Sequence, residues 1–373
     1  MDRAQKKAIF DDLKKKMVLL AGPRQAGKTT LAKEIAKEFD SHIYLNYDHL
    51  GDRKILLEES WLPTTELLIF DEIHKMPKWK NYLKGVYDTK KEFQKILVTG
   101  SARLEIFNQV GDSLAGRFFL HRLLPLSPAE CEKVNTPYTL DRFLERGGFP
   151  EPFLAPSATE SDRWRLQYVD SLLRVDVLDF KNIQNLNAIR LIFELLRERV
   201  GSPVSYTSIA EDVAVSPHTV KKYIEILEAL YVVFKVTPFS KNIARSLLKE
   251  PKIYFFDTGL VKGDEGIQFE NLVANCLLKH AMAKIDYEGK RFSLHFLQTK
   301  ERHEVDFALT NEDHIEKIIE AKLRNHSISK GLHYFHLRYQ LPAVQLVKEL
   351  KQEKVENGIE VRKGLSFLKN LDL

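Results

Sequence analysis

The stretch Gly22-Pro23-Arg24-Gln25-Ala26-Gly27-Lys28-Thr29-Thr30 has residue types and a spacing that could do chemistry. Gly-x-x-x-x-Gly-Lys-Thr is the pattern of a phosphate-binding loop, in which small residues let backbone N–H groups wrap phosphates at a helix N-terminus. Lys28 is expected to reach the β- and γ-phosphates of ATP, and the Thr29 hydroxyl to hold Mg²⁺, which takes oxygen ligands and bridges nucleotide phosphates. Leu67-Leu68-Ile69-Phe70 then runs into Asp71-Glu72. Four apolar residues ending in two acids read as a buried parallel strand whose C-terminal end meets the ligand. Asp71 is the expected Mg²⁺ partner, and Glu72 the carboxylate that polarises the attacking water.

Two further residues are candidates for the same chemistry. Ser101 follows the strand-like Lys95-Ile96-Leu97-Val98-Thr99-Gly100 and reads either as a sensor of the γ-phosphate or as the cap of a following helix. Arg117, in Leu114-Ala115-Gly116-Arg117, could supply positive charge to a phosphoryl transition state, in cis or in trans according to assembly. A homo-oligomer is compatible with the second route.

The elements around these residues must position them. Leu31, Ile35 and Phe39 recur at helical spacing after the loop, and Ile43 to Tyr47 supplies the next strand, so a β-α-β rhythm begins at Val18. Prolines at 125, 128, 137, 150, 152 and 156 mark the end of the ATP-binding core near residue 130. Leu186, Ile189, Phe193, Leu196 and Val200 form an amphipathic stripe that Gly201 stops. From Tyr206 to Phe234 the order is helix, turn, helix, strand, with Ser216 as cap and Pro217 at the first helical position. That is the order of a winged helix-turn-helix, whose second helix would enter a DNA major groove. Between Ser216 and Lys252 there are seven Lys/Arg against three Glu. Lys221, Lys222 and Lys241 are the expected phosphate contacts, and a packing or lid role without DNA is the other reading of the same segment.

The last third holds another candidate set. Glu270 lies near the start of a helical stretch, Asp306 in His303-Glu304-Val305-Asp306-Phe307, and Glu320 and Lys322 in Ile318-Ile319-Glu320-Ala321-Lys322. Residues two apart on a strand share a face, so Glu320 and Lys322 project together while Ala321 points away. Glu270, Asp306 and Glu320 could bind Mg²⁺ while Lys322 positions a hydroxide for in-line attack on a phosphodiester. A hairpin with its charges on a solvent face is the alternative.

Five blocks in order, Gly22 to Thr30, Phe70-Asp71-Glu72-Ile73-His74-Lys75, Thr99-Gly100-Ser101, Leu114 to Arg117 and Pro125-Leu126-Ser127, together resemble a prokaryotic family of AAA-type ATPases. The resemblance extends to Arg146-Gly147-Gly148-Phe149-Pro150-Glu151 and into the C-terminal third, which in that family is a domain of unknown function similar to restriction endonucleases. It implies an α/β chain with an AAA-like parallel sheet, a middle winged helix-turn-helix and a restriction-endonuclease-like C-terminal domain. The expected bounds are 1–130 for the ATP-binding domain, 131–260 for the helical and winged-helix segment, and 261–373 for the nuclease-like domain. The implied activity is ATP hydrolysis with Mg²⁺, acting on or with double-stranded or branched DNA. The alternative is an ATP-controlled protein-binding switch or scaffold whose C-terminal domain is catalytically inactive.

Composition sets outer limits. The chain has 373 residues, 44% hydrophobic and 29% charged, which suits a folded protein of two or three domains at roughly 150 residues each. Net charge is +5, from 57 Lys+Arg and 52 Asp+Glu, so any nucleic-acid site must be local. The two cysteines, Cys131 and Cys276, are far apart and read as reduced structural thiols. No signal core or run of ~18 apolar residues is present, so a cytoplasmic protein with no membrane partner is expected.

Overall fold

The structure is a computed structural model that describes residues 3–100, 114–176, 185–240, 250–299, 301, 303–324 and 327–373. It divides into two compact units, residues 1–124 and 125–373. In the first unit the elements run α1 (Lys6–Leu13), β1 (Met17–Ala21), α2 (Lys28–Ala36), β2 (His42–Asn46), α3 (Leu50–Glu58), β3 (Leu67–Asp71), α4 (Trp79–Thr89), β4 (Lys95–Thr99) and β5 (Phe118–Arg122). The five strands form one parallel sheet in the order β2-β3-β4-β1-β5.

Strand parity explains how this sheet is clothed. Val18, Leu20, Leu67, Ile69 and Leu97 pack against Ile9 and Leu13 of α1 and Leu31 and Ile35 of α2. Their neighbours Leu19, Leu68, Phe70, Ile96 and Val98 point the other way, onto Leu56 of α3 and Trp79, Leu83 and Val86 of α4. Both faces are covered, which is why these strands are continuous apolar runs. Each fully buried Leu, Ile or Phe contributes about 1.5–3 kcal/mol of transfer free energy. The same parity puts Asp71 on the α2 side, two residues beyond Ile69, and Thr99 two beyond Leu97.

The second unit begins with α5 (Pro128–Lys133), α6 (Leu140–Arg146), α7 (Pro150–Leu154), α8 (Ala158–Ser171) and α9 (Leu186–Arg197). There follow α10 (Tyr206–Val213), α11 (Pro217–Ala229) and the antiparallel pair β6 (Val233–Pro238) and β7 (Lys252–Phe255). Ser216 caps α11, accepting from the Thr219 N–H at 3.1 Å, and Pro217 takes the first helical position as its missing N–H permits. The chain ends in α12 (Glu265–Glu288), the antiparallel β8 (Phe292–Gln298), β9 (Glu304–Asn311) and β10 (His314–Lys322), α13 (Lys330–Tyr339), β11 (Ala343–Val347), β12 (Lys354–Glu356), β13 (Ile359–Lys363) and α14 (Gly364–Leu368).

The eight strands among the described residues of this unit form one sheet, β12-β13-β11-β10-β9-β8-β6-β7. It runs continuously across residue 260, where the sequence suggests a domain boundary, because Thr237 and Pro238 of β6 pair in parallel with His295 and Phe296 of β8. The edge strand β7 is buried throughout, and Asn271 of α12 satisfies part of its outer side: its amide accepts from the Phe255 N–H at 2.8 Å and donates to the Phe255 carbonyl at 3.0 Å. The Arg146-Gly147-Gly148 motif is also explained locally. Gly147 closes α6 at φ +69°, and a Cβ there would lie 1.7 Å from Asp257 Oδ1. Asp257 is paired with Arg165 at 3.1 Å, and both are buried.

Candidate functional site

β1 delivers the chain to the phosphate loop and α2 takes it away. Gly22 has φ +145°, and a Cβ on it would lie 2.3 Å from the Leu123 carbonyl oxygen, so only glycine lets the loop turn beside β5. Gly27 sits at the N-cap of α2 at φ +93°, which leaves the first N–H groups of the helix aimed at the loop. Pro23, Gln25 and Ala26 complete the curve, with Gln25 left-handed at φ +60°, and Arg24 and Thr30 flank it. Lys28 is buried, and its ammonium donates to the carbonyls of Gly22 at 3.0 Å and Pro23 at 2.6 Å. Burial lowers its pKa to about 8, opposed by the charges of Glu72 and Asp71. A phosphate oxygen beside this ammonium would restore the charge that the fold disfavours.

Asp71 is the hub of the site. Its Oδ2 accepts from the Thr29 hydroxyl at 3.2 Å and from the Tyr44 hydroxyl, while Oδ1 accepts from the Thr99 hydroxyl and from the Glu72 N–H at 3.1 Å. Thr29 and Asp71, the expected Mg²⁺ partners, are therefore in direct contact across 42 residues of sequence. A hydroxyl and a carboxylate at the mouth of a phosphate loop form a donor set that suits a hard, oxygen-seeking cation which keeps several waters. Tyr44 was missed by sequence reasoning, which expected the Thr99 hydroxyl at the same edge as Asp71 but not its bond to that carboxylate. Their signal was strand parity and parallel register, since Thr99 pairs with Asp71 across the β3–β4 ladder.

Glu72 stands one residue beyond β3 in a left-handed conformation, φ +55°. That turn takes its side chain off the strand line, where its Oε2 lies 3.4 Å from Lys75 Nζ and 3.6 Å from His74 Nε2. Burial raises the Glu72 carboxyl, with Lys75 opposing and Asp71 reinforcing the shift. A carboxylate with a raised pKa beside the loop is suited to accept a proton from water.

Arg117 is not brought to this site within the chain. It immediately precedes β5, whose Phe118 pairs with Met17, so it lies at the sheet edge opposite the phosphate loop, about 13 Å away over four strand steps. Its guanidinium forms a two-point contact with Asp88, at 2.8 and 3.1 Å. Parallel pairing with β1 fixes which end of β5 it occupies, so of the two routes left open, cis or trans, the one in cis is not supplied by this geometry. Ser101 lies outside the described residues.

In the second unit the expected carboxylates do come together. Asp306 and Glu320 are buried, not on a solvent face, because β9 and β10 pair with both residues turned inward. The Asp306 N–H donates to Glu320 Oε2 at 3.3 Å, the Ala321 N–H to Asp306 Oδ2 at 3.0 Å, and Lys322 Nζ lies 2.8 Å from Glu320 Oε1. Glu270 joins from α12, accepting from the Tyr254 hydroxyl at 2.7 Å. Burial, reinforced by the Asp306 charge, pushes both Glu270 and Glu320 up. Sequence reasoning missed the centre of this cluster. Lys252, counted there as part of a basic DNA-facing patch, is 1% exposed and lies 2.7 Å from Glu304, 3.6 Å from Asp306 and 3.8 Å from Glu270. Burial works against its ammonium, but Asp306, Glu270 and Glu304 outweigh it and hold the pKa above the usual lysine value. Among the described residues, no group of three or more His, Cys, Asp or Glu is arranged to hold a metal ion. The carboxylates expected to cage Mg²⁺ are held by Lys252, Lys322, the Tyr254 hydroxyl and backbone N–H groups, and do not fit one as they stand.

Of the residues expected to contact DNA phosphates, Lys221 is exposed on α11 and Lys222 is half-buried; Lys235, of the same basic run, pairs with Glu228 at 2.7 Å. Lys241 lies outside the described residues. Among the described residues, no helix is long and apolar enough to cross a membrane.

Residues 138–267 match a family described as "Domain of unknown function (DUF8612)". This match lies in the middle of the chain and stops short of Glu270, Asp306, Glu320 and Lys322. An uncharacterized protein of Mycobacterium tuberculosis is 30% identical over 250 residues, 66% of this chain and 55% of that protein. The chain thus spans about half the length of this mycobacterial relative. The Holliday junction branch migration complex subunit RuvB of Bifidobacterium longum is 38% identical over 82 residues, 21% of this chain and 22% of that one. Among solved structures, a Walker-type ATPase of Pyrococcus abyssi covers 69% of this chain and 93% of its own at 14% identity, with a TM-score of 0.44. Residues 14–132 match a family described as "AAA domain". Taken with the geometry of Lys28, Thr29 and Asp71, that match supports an AAA-type ATPase family for the N-terminal unit.

Proposed function

We propose that this chain binds and hydrolyses ATP with Mg²⁺ at the Gly22–Thr30 loop, and that the second unit acts on or with DNA under control of the bound nucleotide. The observation that carries the ATPase reading is the Thr29–Asp71 contact at 3.2 Å beside the buried Lys28. When bound, Mg²⁺ would neutralise phosphate charge, and Thr29 and Asp71 are the residues to hold it. The chain's own groups do the rest. The α2 N-terminus and Lys28 bind the β- and γ-phosphates, and Tyr44 and Thr99 orient Asp71. Glu72 accepts the proton of the attacking water.

Lys28→Ala is expected to abolish nucleotide binding. Glu72→Gln is expected to bind ATP as the parent does while turnover falls by about 10²- to 10⁴-fold, the usual worth of a positioned proton acceptor. Binding is followed with a fluorescent ATP analogue and turnover by phosphate release. Parental turnover in the Glu72 variant would remove that residue from the mechanism.

The DNA part rests on α10 and α11 followed by the β6–β7 hairpin, and on a helix face that exposes His218, Lys221 and Glu225. DNA-stimulated turnover is its test. A second reading, an ATP-controlled binding switch or scaffold with a catalytically silent C-terminal domain, is favoured by the burial of Lys252 among Glu270, Glu304 and Asp306. On that reading DNA leaves turnover unchanged.

A further inference from the structure

The carboxylates of the second unit already have a cation. Lys252 opens β7, and its ammonium stands within 4 Å of three of them, Glu304, Asp306 and Glu270. The ring of Phe296 lies 5.4 Å from the same nitrogen, a distance at which an aromatic face attracts a cation. This placement is built into the fold. Asn271 clamps Phe255 at the end of β7, and Gly201, whose Cβ would lie 2.7 Å from Glu270 Oε1, leaves room for that carboxylate.

Three further oxygens are also committed. Asp306 Oδ2 accepts from the Ala321 N–H, Glu320 Oε2 from the Asp306 N–H, and Glu320 Oε1 faces Lys322. A divalent cation needs about six or more oxygens at ~2.0–2.6 Å, so it would have to break these bonds. It would also lie beside a buried ammonium of like sign, where low polarity strengthens the repulsion.

We infer that the Lys252 ammonium is the resident cation of this cluster, holding Glu270, Glu304 and Asp306 together in the place of a divalent metal, so that the domain recruits none there. The role assigned is structural charge balance. It joins the hairpin of the helix-turn-helix segment to α12 and β9, and it stands whether or not the first unit hydrolyses ATP. A further consequence is that removing the amine unmasks a metal site that the parent chain does not have.

The test is a Mn²⁺ titration by calorimetry on the 373-residue, nucleotide-free chain, with Thr29→Ala in every sample to silence the phosphate loop, and melting temperatures alongside. In the Lys252-bearing chain, Asp306→Asn is expected to leave the Mn²⁺ isotherm unchanged. Lys252→Met is expected to gain a Mn²⁺ site about tenfold or more tighter than any in the parent, lost again on adding Asp306→Asn, and to be raised in melting temperature by Mn²⁺ while the parent is not. Lys252→Arg keeps a cation and should behave as the parent. Asp306-dependent Mn²⁺ binding in the Lys252-bearing chain overturns the inference, and so does a folded Lys252→Met that gains no site. If Lys252→Met does not fold, the comparison with and without Asp306→Asn in the parent background decides.

Discussion

At the scale of single residues, the two units treat charge in opposite ways. Lys28 is buried against backbone carbonyls with its pKa lowered, waiting for an anion to complete it. Lys252 is buried against carboxylates with its pKa raised, and needs nothing more. Arg165 resembles the second case. Its guanidinium meets Asp257 at 3.1 Å, and Asp257 is 1% exposed, with burial raising its carboxyl against the opposing pull of Arg165. Removing one partner of a buried pair leaves an uncompensated charge, so Arg165→Met is expected to cost about 3–5 kcal/mol in urea unfolding. A loss below about 1 kcal/mol, the size of a surface pair, would show that Asp257 is already neutral in the folded chain.

At the scale of elements, the exposed side of an edge strand is a liability that must be covered. β7 meets this requirement partly with the backbone of Gly201 to Val204, which bridges Lys252 and donates to the Ile253 and Pro251 carbonyls, and partly with a side chain, since the Asn271 amide takes both the N–H and the C=O of Phe255 and also donates to the Thr258 hydroxyl at 3.1 Å. Asn275 adds a donor to the same carbonyl at 2.7 Å. Asn271→Leu keeps a similar volume but orphans the buried Phe255 N–H, at an expected cost of about 1–3 kcal/mol. Hydrogen exchange should locate the loss: the Phe255 amide exchanges faster in the variant, while amides of the first unit are unchanged. Equal acceleration in β1 would mean that the two units do not open separately.

At the scale of the whole molecule, stability should depend on buried imidazoles in both units. His121, His280 and His295 all have pKa values lowered by burial, opposed in turn by Asp12, by the Asp372 backbone with its charge, and by the Thr237 backbone. Each is kept neutral in the folded chain at a pH where the unfolded chain, with an ordinary histidine pKa of about 6.5, binds a proton. Their contribution is complete above that value and is lost as the pH falls through it toward the lower folded pKa. The expected readout is an advantage in urea midpoint of the parent over His121→Asn that is larger at about pH 7.5 than at about pH 5.5. An advantage that grows on acidification would place a charged imidazole against Asp12 in the folded chain.

What the sequence determined by itself is the local chemistry. Gly22, Gly27, Lys28 and Thr29 lie within one turn of chain, so their spacing alone fixes how backbone and side chains can surround a phosphate, and four apolar residues before Asp71 suffice to place it at a buried strand end. The same holds for the parity that turns Glu320 and Lys322 to one side of β10. What only the tertiary structure decided is which distant charges meet. Arg117 is adjacent in sequence to β5 but is carried to the wrong end of the sheet by parallel pairing with β1. Thr99 and Tyr44 acquire their roles only because β4 and β2 flank β3. Lys252 reads as one more surface lysine in a basic run until β6 joins β8, α12 packs over β7, and its ammonium is enclosed by carboxylates from α12 and β9. A charge pattern along a chain records how many charges there are, whereas the partner of each is set by burial and strand neighbours, which no short spacing encodes.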